Sequence, residues 1–249
     1  EVGLTATGRV TLELAPRAII SANVSDDPSR ELVKDDVIVL SGGARGVTAA
    51  VARELAQTFG SKLVLLGRSP EPTDEPDWLR GQKTEADIKK EIVARAVNGV
   101  SPKHVGEEYA RLMANREIRQ TLDDLARVAH VEYHSVDVRN GEAVRSILTD
   151  VRAKLGPITG LVHGAGVLAD QLIEDKTAEQ FSRVFGTKVA GMTALVDAVE
   201  VDALKFVIFF SSSTARFGRK GQVDYAVANE VLNKAAWQLA AKIPAARVV

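Results

Sequence analysis

The sequence predicts an α/β fold, a doubly wound parallel sheet of Rossmann type with helices on both faces. Three observations carry this. Short, mainly apolar bursts recur at Val37–Leu40, Leu63–Leu66, Val131–Val136, Leu161–His163 and Phe206–Phe210. Runs of that length suit strands covered on both sides. Segments with helical periodicity alternate with them, at Gly46–Phe59, 142–154, 177–199 and 226–241. A glycine-rich turn joins the first burst to the first helix. Because strand–helix–strand units cross over right-handed, this order builds one open sheet.

Taken in order, Gly8–Ala15 alternates and predicts an exposed or edge strand. Residues 21–36 are polar, with Ser, Asn, Asp and Pro, and predict a linker. Residues 1–34 are therefore expected to be a linker or the remnant of a preceding subdomain, and 35–249 the catalytic domain. Residues 70–130 exceed the one helix a crossover needs. They hold a Pro/Asp-rich piece, Pro70–Trp78, and helical charge patterns over 84–98 and 105–128, with Glu91 and Arg95 at i,i+4 spacing. This predicts a helical insertion between strands 2 and 3 of the sheet, either a solvated elaboration or a docking surface for a partner.

The hydrophobic share is 45% and the charged share 26%, as in globular domains. A net charge of −1 lacks the basic excess of a general nucleic-acid binder. No apolar run approaches the roughly 18–20 residues of a membrane span. With no cysteine, the chain has no disulfide, thiolate nucleophile, iron–sulfur cluster or cysteine zinc site. That fits a reducing compartment, and the expectation is cytoplasmic. Residue 1 is Glu, and Ala246–Val249 ends just as an apolar segment begins. The expectation is an excised, C-terminally incomplete piece, with the last strands and a substrate lid beyond Val249.

Val37–Leu40 runs into Ser41-Gly42-Gly43-Ala44-Arg45-Gly46-Val47-Thr48. Such a turn lets a backbone approach a pyrophosphate, and the helix that follows offers unpaired N–H groups and a positive dipole end. Thr48 stands where the last glycine of the usual run would be, so helix packing there should differ. Gly67-Arg68-Ser69 ends the second strand, where an acidic residue would bond a ribose 2′-hydroxyl and select NAD. No acid stands there. Arg45 and Arg68 instead suit a 2′-phosphate, which points to NADPH, although surface arginines are also common. Asp137 and Val138 are expected beside the adenine. His163-Gly164-Ala165-Gly166-Val167 puts small residues at a strand end, where a cofactor passes close to backbone. His163 has a second reading, a packed core histidine. His104, His130 and His134 lie in or beside the insertion and offer it no useful metal spacing.

Phe206–Phe210 leads into Ser211-Ser212-Ser213; Tyr225 lies thirteen residues past Ser212, Asn229 four further on, and Lys188 twenty-four before Ser212. Together with Phe185–Gly191 and Gly221–Asn229, these residues resemble the short-chain dehydrogenase/reductases. More narrowly, the sequence resembles the ketoreductase domains of polyketide synthases and polyunsaturated fatty acid synthases, over about residues 35–249. Ordinary short-chain reductases place Lys four residues after Tyr. Here Asn229 stands there and Lys188 lies on an earlier helix, an exchange that marks the synthase ketoreductases. The turn and the insertion resemble the polyunsaturated fatty acid branch.

The resemblance implies NADPH-dependent reduction of a β-ketoacyl thioester on the phosphopantetheine arm of an acyl carrier protein, among other synthase domains. Its chemistry suits these residue types. Reduction builds negative charge on a carbonyl oxygen. Tyr225 can protonate it, but a free phenol has a pKa near 10. A neighbouring ammonium, Lys188, favours the phenolate. Ser212 donates to the oxygen, and Asn229 holds a water or backbone group in a proton relay. Ser211 and Ser213 would face the other side of an extended strand. Leu168-Ala169-Asp170 resembles the Leu-Asp-Asp motif of ketoreductases that give the (3R)-alcohol, keeping the final Asp170. Phe217 stands where the opposite stereochemical class carries Trp. A non-catalytic structural module and a free-standing alcohol dehydrogenase are the alternatives.

Overall fold

The computed structural model describes residues 2–11, 31–82, 84–96 and 99–249. β1 (Val2–Thr5) and β2 (Gly8–Thr11) pair antiparallel, Thr5 opposite Gly8. The expected strand over 8–15 thus begins as a strand with a hairpin partner; residues 12–15, and 21–30 of the expected linker, lie outside the described residues. Residues 31–36 are strapped to the domain rather than free. The Val33 N–H donates to Asp36 Oδ2 at 2.7 Å, and the Ser61 hydroxyl donates to the Val33 carbonyl at 3.1 Å. Lys205 pairs with buried Asp36 at 2.9 Å.

β3 (Val37–Ser41), α1 (Gly46–Phe59) and β4 (Lys62–Gly67) form the first unit. α1 turns Ala49, Ala52 and Ala56 inward, so it sits close to the sheet, and Gly60 ends it in the left-handed region at φ 66°. The crossover carries α2 (Asp77–Arg80), α3 (Glu85–Arg95) and α4 (Pro102–Ala126) before β5 (Val131–Ser135). Ser101 caps α4, with Pro102 at its first turn. At about 1.5 Å per residue, α4 is about 37 Å long and serves two cores. Val105 and Leu112 pack with Leu79, Ile88 and Ile92 in a satellite cluster. Ile118 and Leu125 pack against Ala52, Ala56, Leu63 and Leu65 of the main domain. The rear half of α4 is therefore the crossover helix itself, and only the material before it is added.

α5 (Gly141–Leu155), β6 (Ile158–His163), α6 (Ala178–Ala198), β7 (Phe206–Phe209), α7 (Thr214–Phe217), α8 (Val223–Lys242) and β8 (Arg247–Val248) complete the chain. The strand order is β5-β4-β3-β6-β7-β8, with every neighbouring pair parallel. Strand period sorts the core. Val37, Val39, Val64 and Leu66 meet Leu148, Leu195 and Leu232 on one face; Ile38, Leu40, Leu63 and Leu65 meet α1 and α4 on the other. β6 starts three residues before the apolar burst. Gly160 lies within it because the ring of Phe206, on β7, approaches to 2.5 Å of where a Cβ would stand. Strand order reverses between β3 and β6, and their carboxyl ends open the crevice where such sheets bind ligands.

Candidate active site

At that switch point lies a cleft of about 1030 Å³. Its floor is the glycine turn. Gly42 has φ 74°, and a Cβ there would come within 3.0 Å of the Ala165 nitrogen; Gly46 has φ 57°. Thr48 is buried, and its side chain fills the space that a Cβ on Gly164 would need. The missing glycine of the turn is thus compensated by a glycine just past the end of β6. Ser41, Gly43 and His163, expected to touch cofactor, support the floor from below instead and are absent from the cleft wall. A Cβ on Gly43 would collide with Leu40 and Leu65.

His163 is a core histidine. Its Nε2–H donates to the Lys188 carbonyl at 2.9 Å, so its Nδ1 accepts from the Ser41 hydroxyl at 2.7 Å. Burial, helped by the Lys188 charge, pushes its pKa down to about 4, so it stays neutral and ties β3 and β6 to α6.

Arg45, Gly46, Val47, Arg68, Ser69, Val138, Gly164, Ala165 and Gly166, each a candidate for cofactor contact, line the cleft. Asp137 does not: Arg139 holds its carboxylate, which keeps that carboxyl below the usual range. Tyr133 and Glu117 line the wall without a motif or spacing that marks them. Tyr133 donates to the Ser69 carbonyl at 2.7 Å and fills the space beside Gly67. Glu117 of α4 reaches the glycine turn; one oxygen accepts from Arg45 Nε at 2.8 Å and the other from the Gly46 N–H at 2.9 Å.

At the opposite end, Lys188 of α6 points inward and is only 3% exposed. Its stem passes Gly166, whose missing side chain leaves room. Its Nζ donates to the Phe210 carbonyl at 2.7 Å and lies 5.6 Å from the centre of the Tyr225 ring. No carboxylate pairs with it among the described residues, and burial pushes its pKa down to about 8. Asn229, one turn along α8, donates to the Tyr225 carbonyl at 2.7 Å. Its Oδ1 is buried and finds no donor among the described residues, which is a place for water.

Ser211, rather than Ser212, lines the cleft, yet its hydroxyl turns back to the Asn229 carbonyl at 3.2 Å. The Ser212 hydroxyl is held by Thr214, accepting from its N–H at 3.2 Å and meeting its Oγ1 at 3.1 Å. Asp170 and Phe217 stand outside the cleft wall. Gln222 donates to Asp170 at 2.8 Å, which fixes the 168–176 loop to the start of α8, while Phe217 is exposed on α7. A second brace lies beside it: Lys176 pairs with Asp224 at 2.8 Å, their side chains 4% and 2% exposed, and also donates to the Ala169 carbonyl. The walls fit a dinucleotide, with the glycine cradle and two arginines at one end and the Lys188–Tyr225 pair at the other.

The sheet order and the glycine turn at its switch point place the chain among the Rossmann-type folds of the short-chain dehydrogenase/reductases. A family model for the KR domain matches residues 37–249, and the chain belongs to that family of ketoreductase domains. It is 38% identical over 223 residues to a polyunsaturated fatty acid synthase polypeptide of Thraustochytrium sp., covering 85% of this chain and 8% of that protein. Among solved structures it resembles an N-terminal ketoreductase from a macrolactin assembly line, with 26% identity, TM-score 0.64, and 85% of this chain and 35% of the other covered. A ketoreductase domain from the bacillaene assembly line is 28% identical, with TM-score 0.63 and 85% and 42% covered. The chain thus spans a small part of the synthase relative it matches. Among the described residues no helix is long and apolar enough to cross a membrane.

Proposed function

We propose that the chain is the NADPH-dependent reductase of a β-ketoacyl thioester carried on an acyl carrier protein, giving the (3R)-hydroxyacyl product within a multienzyme synthase. The observation that carries this reading is the buried Lys188 ammonium beside the Tyr225 ring, with no carboxylate partner among the described residues and with Asn229 one turn further along α8. The synthase relative and the assembly-line ketoreductases support the substrate class.

Arg45, Arg68 and the α1 N-terminus would hold the phosphates, and the small residues 164–166 would leave room for the nicotinamide end beside the backbone. The bound cofactor supplies a hydride to the β-carbon. The protein manages the oxygen. The Ser212 hydroxyl, held by Thr214 in this structure, would turn from it to donate a hydrogen bond to that oxygen, the role the resemblance implies, and Tyr225 transfers its phenolic proton as the carbon–oxygen π bond opens, leaving a phenolate and an alcohol. Lys188 stabilises that phenolate electrostatically; with so little water around it, one charge counts for more than at the surface. Asn229 Oδ1 offers an acceptor for the water that returns a proton. The Asp170–Gln222 and Lys176–Asp224 braces fix the 168–176 loop to the start of α8; the (3R) outcome rests on the resemblance at Asp170 and Phe217.

The test is turnover of a β-ketoacyl thioester by Tyr225→Phe. The variant is expected to bind NADPH normally and to reduce no substrate; retained turnover would overturn the proton-donor role.

A further inference from the structure

The adenosine end of the cleft holds an acid that sequence order hides. Glu117 comes from α4, 72 positions along the chain from Arg45. It is no loose surface side chain by placement. Its neighbour Ile118 is buried in the main core, and α4 is fixed to α1 by Arg53, which donates to Thr121 at 3.0 Å and pairs with Asp124 at 3.5 Å. On its other side Arg116 and Arg119 strap residues 73–82, the segment that follows Arg68 and Ser69. Both carboxylate oxygens are used, one on a guanidinium and one on the first N–H of α1. That is the donor set a phosphate group would take. Burial opposes it, but Arg45, the Gly46 N–H and Arg53 hold the Glu117 carboxyl below its usual range, so it is charged at neutral pH.

We propose that Glu117 is a specificity-determining residue, an internal competitor for the cofactor's adenosine 2′-phosphate that the rear half of α4 places on Arg45. This rests on the cofactor reading above. The charges explain the sense of the effect. Arg45 and Arg68 bring two positive charges to this wall, a 2′-phosphate about two negative ones, and Glu117 a further negative charge beside the same guanidinium. NADPH must therefore displace the carboxylate from Arg45. NADH, with a neutral 2′-hydroxyl, need not. Glu117 thereby lowers the advantage of NADPH over NADH, and loading NADPH loosens the tie between α4 and the glycine turn.

The experiment measures Kd for NADPH, NADH, 2′,5′-ADP and 5′-AMP in the full chain and in Glu117→Gln and Glu117→Ala. Glu117 is 43% exposed on its side chain, so neither change threatens the fold. The expected result is that NADPH and 2′,5′-ADP bind about tenfold tighter, the scale of one charge removed at a few ångströms near solvent, while NADH and 5′-AMP change less than about twofold. Weaker or unchanged NADPH binding would overturn the proposal, since Glu117 would then support Arg45 or be idle. Equal tightening of NADPH and NADH would overturn it too, placing the competition at the pyrophosphate. If the parent chain itself does not distinguish 2′,5′-ADP from 5′-AMP, and Arg68→Ala changes nothing, the cofactor reading fails, and this inference with it. A parent chain that distinguishes them while both Glu117 variants match it sinks the inference alone.

Discussion

The two ends of the cleft each present a cation, in opposite surroundings. Lys188 is buried, has no carboxylate partner among the described residues, and leans on one carbonyl. Arg45 is about half exposed and already bonded to an acid. A desolvated, unpaired amine has its pKa drawn into the working range and acts strongly on a neighbouring phenol. A solvated guanidinium stays charged and can exchange one anion for another at small cost. On the proposed function, chemistry belongs at the first end and discrimination at the second, so substitutions should separate the two.

The largest effect is expected from Tyr225→Phe: loss of reduction by more than about a thousandfold with NADPH affinity retained, checked by steady-state kinetics and titration. A parallel loss of affinity would show that the two ends are not independent. Next is Lys176→Met, which strands Asp224 in the interior and should cost about 3 kcal/mol or more in urea unfolding. Lys176→Met with Asp224→Leu should recover much of that. Failure to recover would mean that the pair matters through its hydrogen bonds to the Ala169 carbonyl and the Tyr225 N–H. A smaller effect is expected at the adenosine end. Arg45→Ala and Arg68→Ala should each weaken NADPH by about tenfold and NADH by less than about twofold, leaving kcat at saturating NADPH near that of the parent. Equal losses for both cofactors would mean that neither arginine meets the extra phosphate.

Much of the sheet was legible because strands covered on both faces must be apolar at every position, as Val37–Leu40 and Leu63–Leu66 are. β6 extends to Ile158, three residues before its apolar burst, and the reason for Gly160, a phenylalanine ring from the next strand, is not local. The crossover half of α4 is not separable from the insertion in sequence, because the helix's apolar residues serve two cores and form no single stripe. In the cleft, the glycine turn and the Arg45, Arg68, Lys188 and Tyr225 positions could be read from motif and spacing. His163 had two readings, and only the hydrogen bonds to Ser41 and Lys188 choose between them. Glu117, Lys176 and Asp224 left no readable sign, because each acts through a partner brought near by the fold alone.

Lys188 gives the most direct test. Burial lowers its pKa, so the unfolded chain holds the extra proton between about pH 8 and 10.5, and the stability owed to this group rises across that window. Reduction should move the other way. The measurement is kcat against pH for the parent chain and for Lys188→Met. The parent is expected to lose about tenfold per pH unit above about pH 8 as the ammonium discharges, and the variant to be slow throughout with no bend there. A bend near pH 8 that survives in Lys188→Met, or a variant as fast as the parent, would contradict the account.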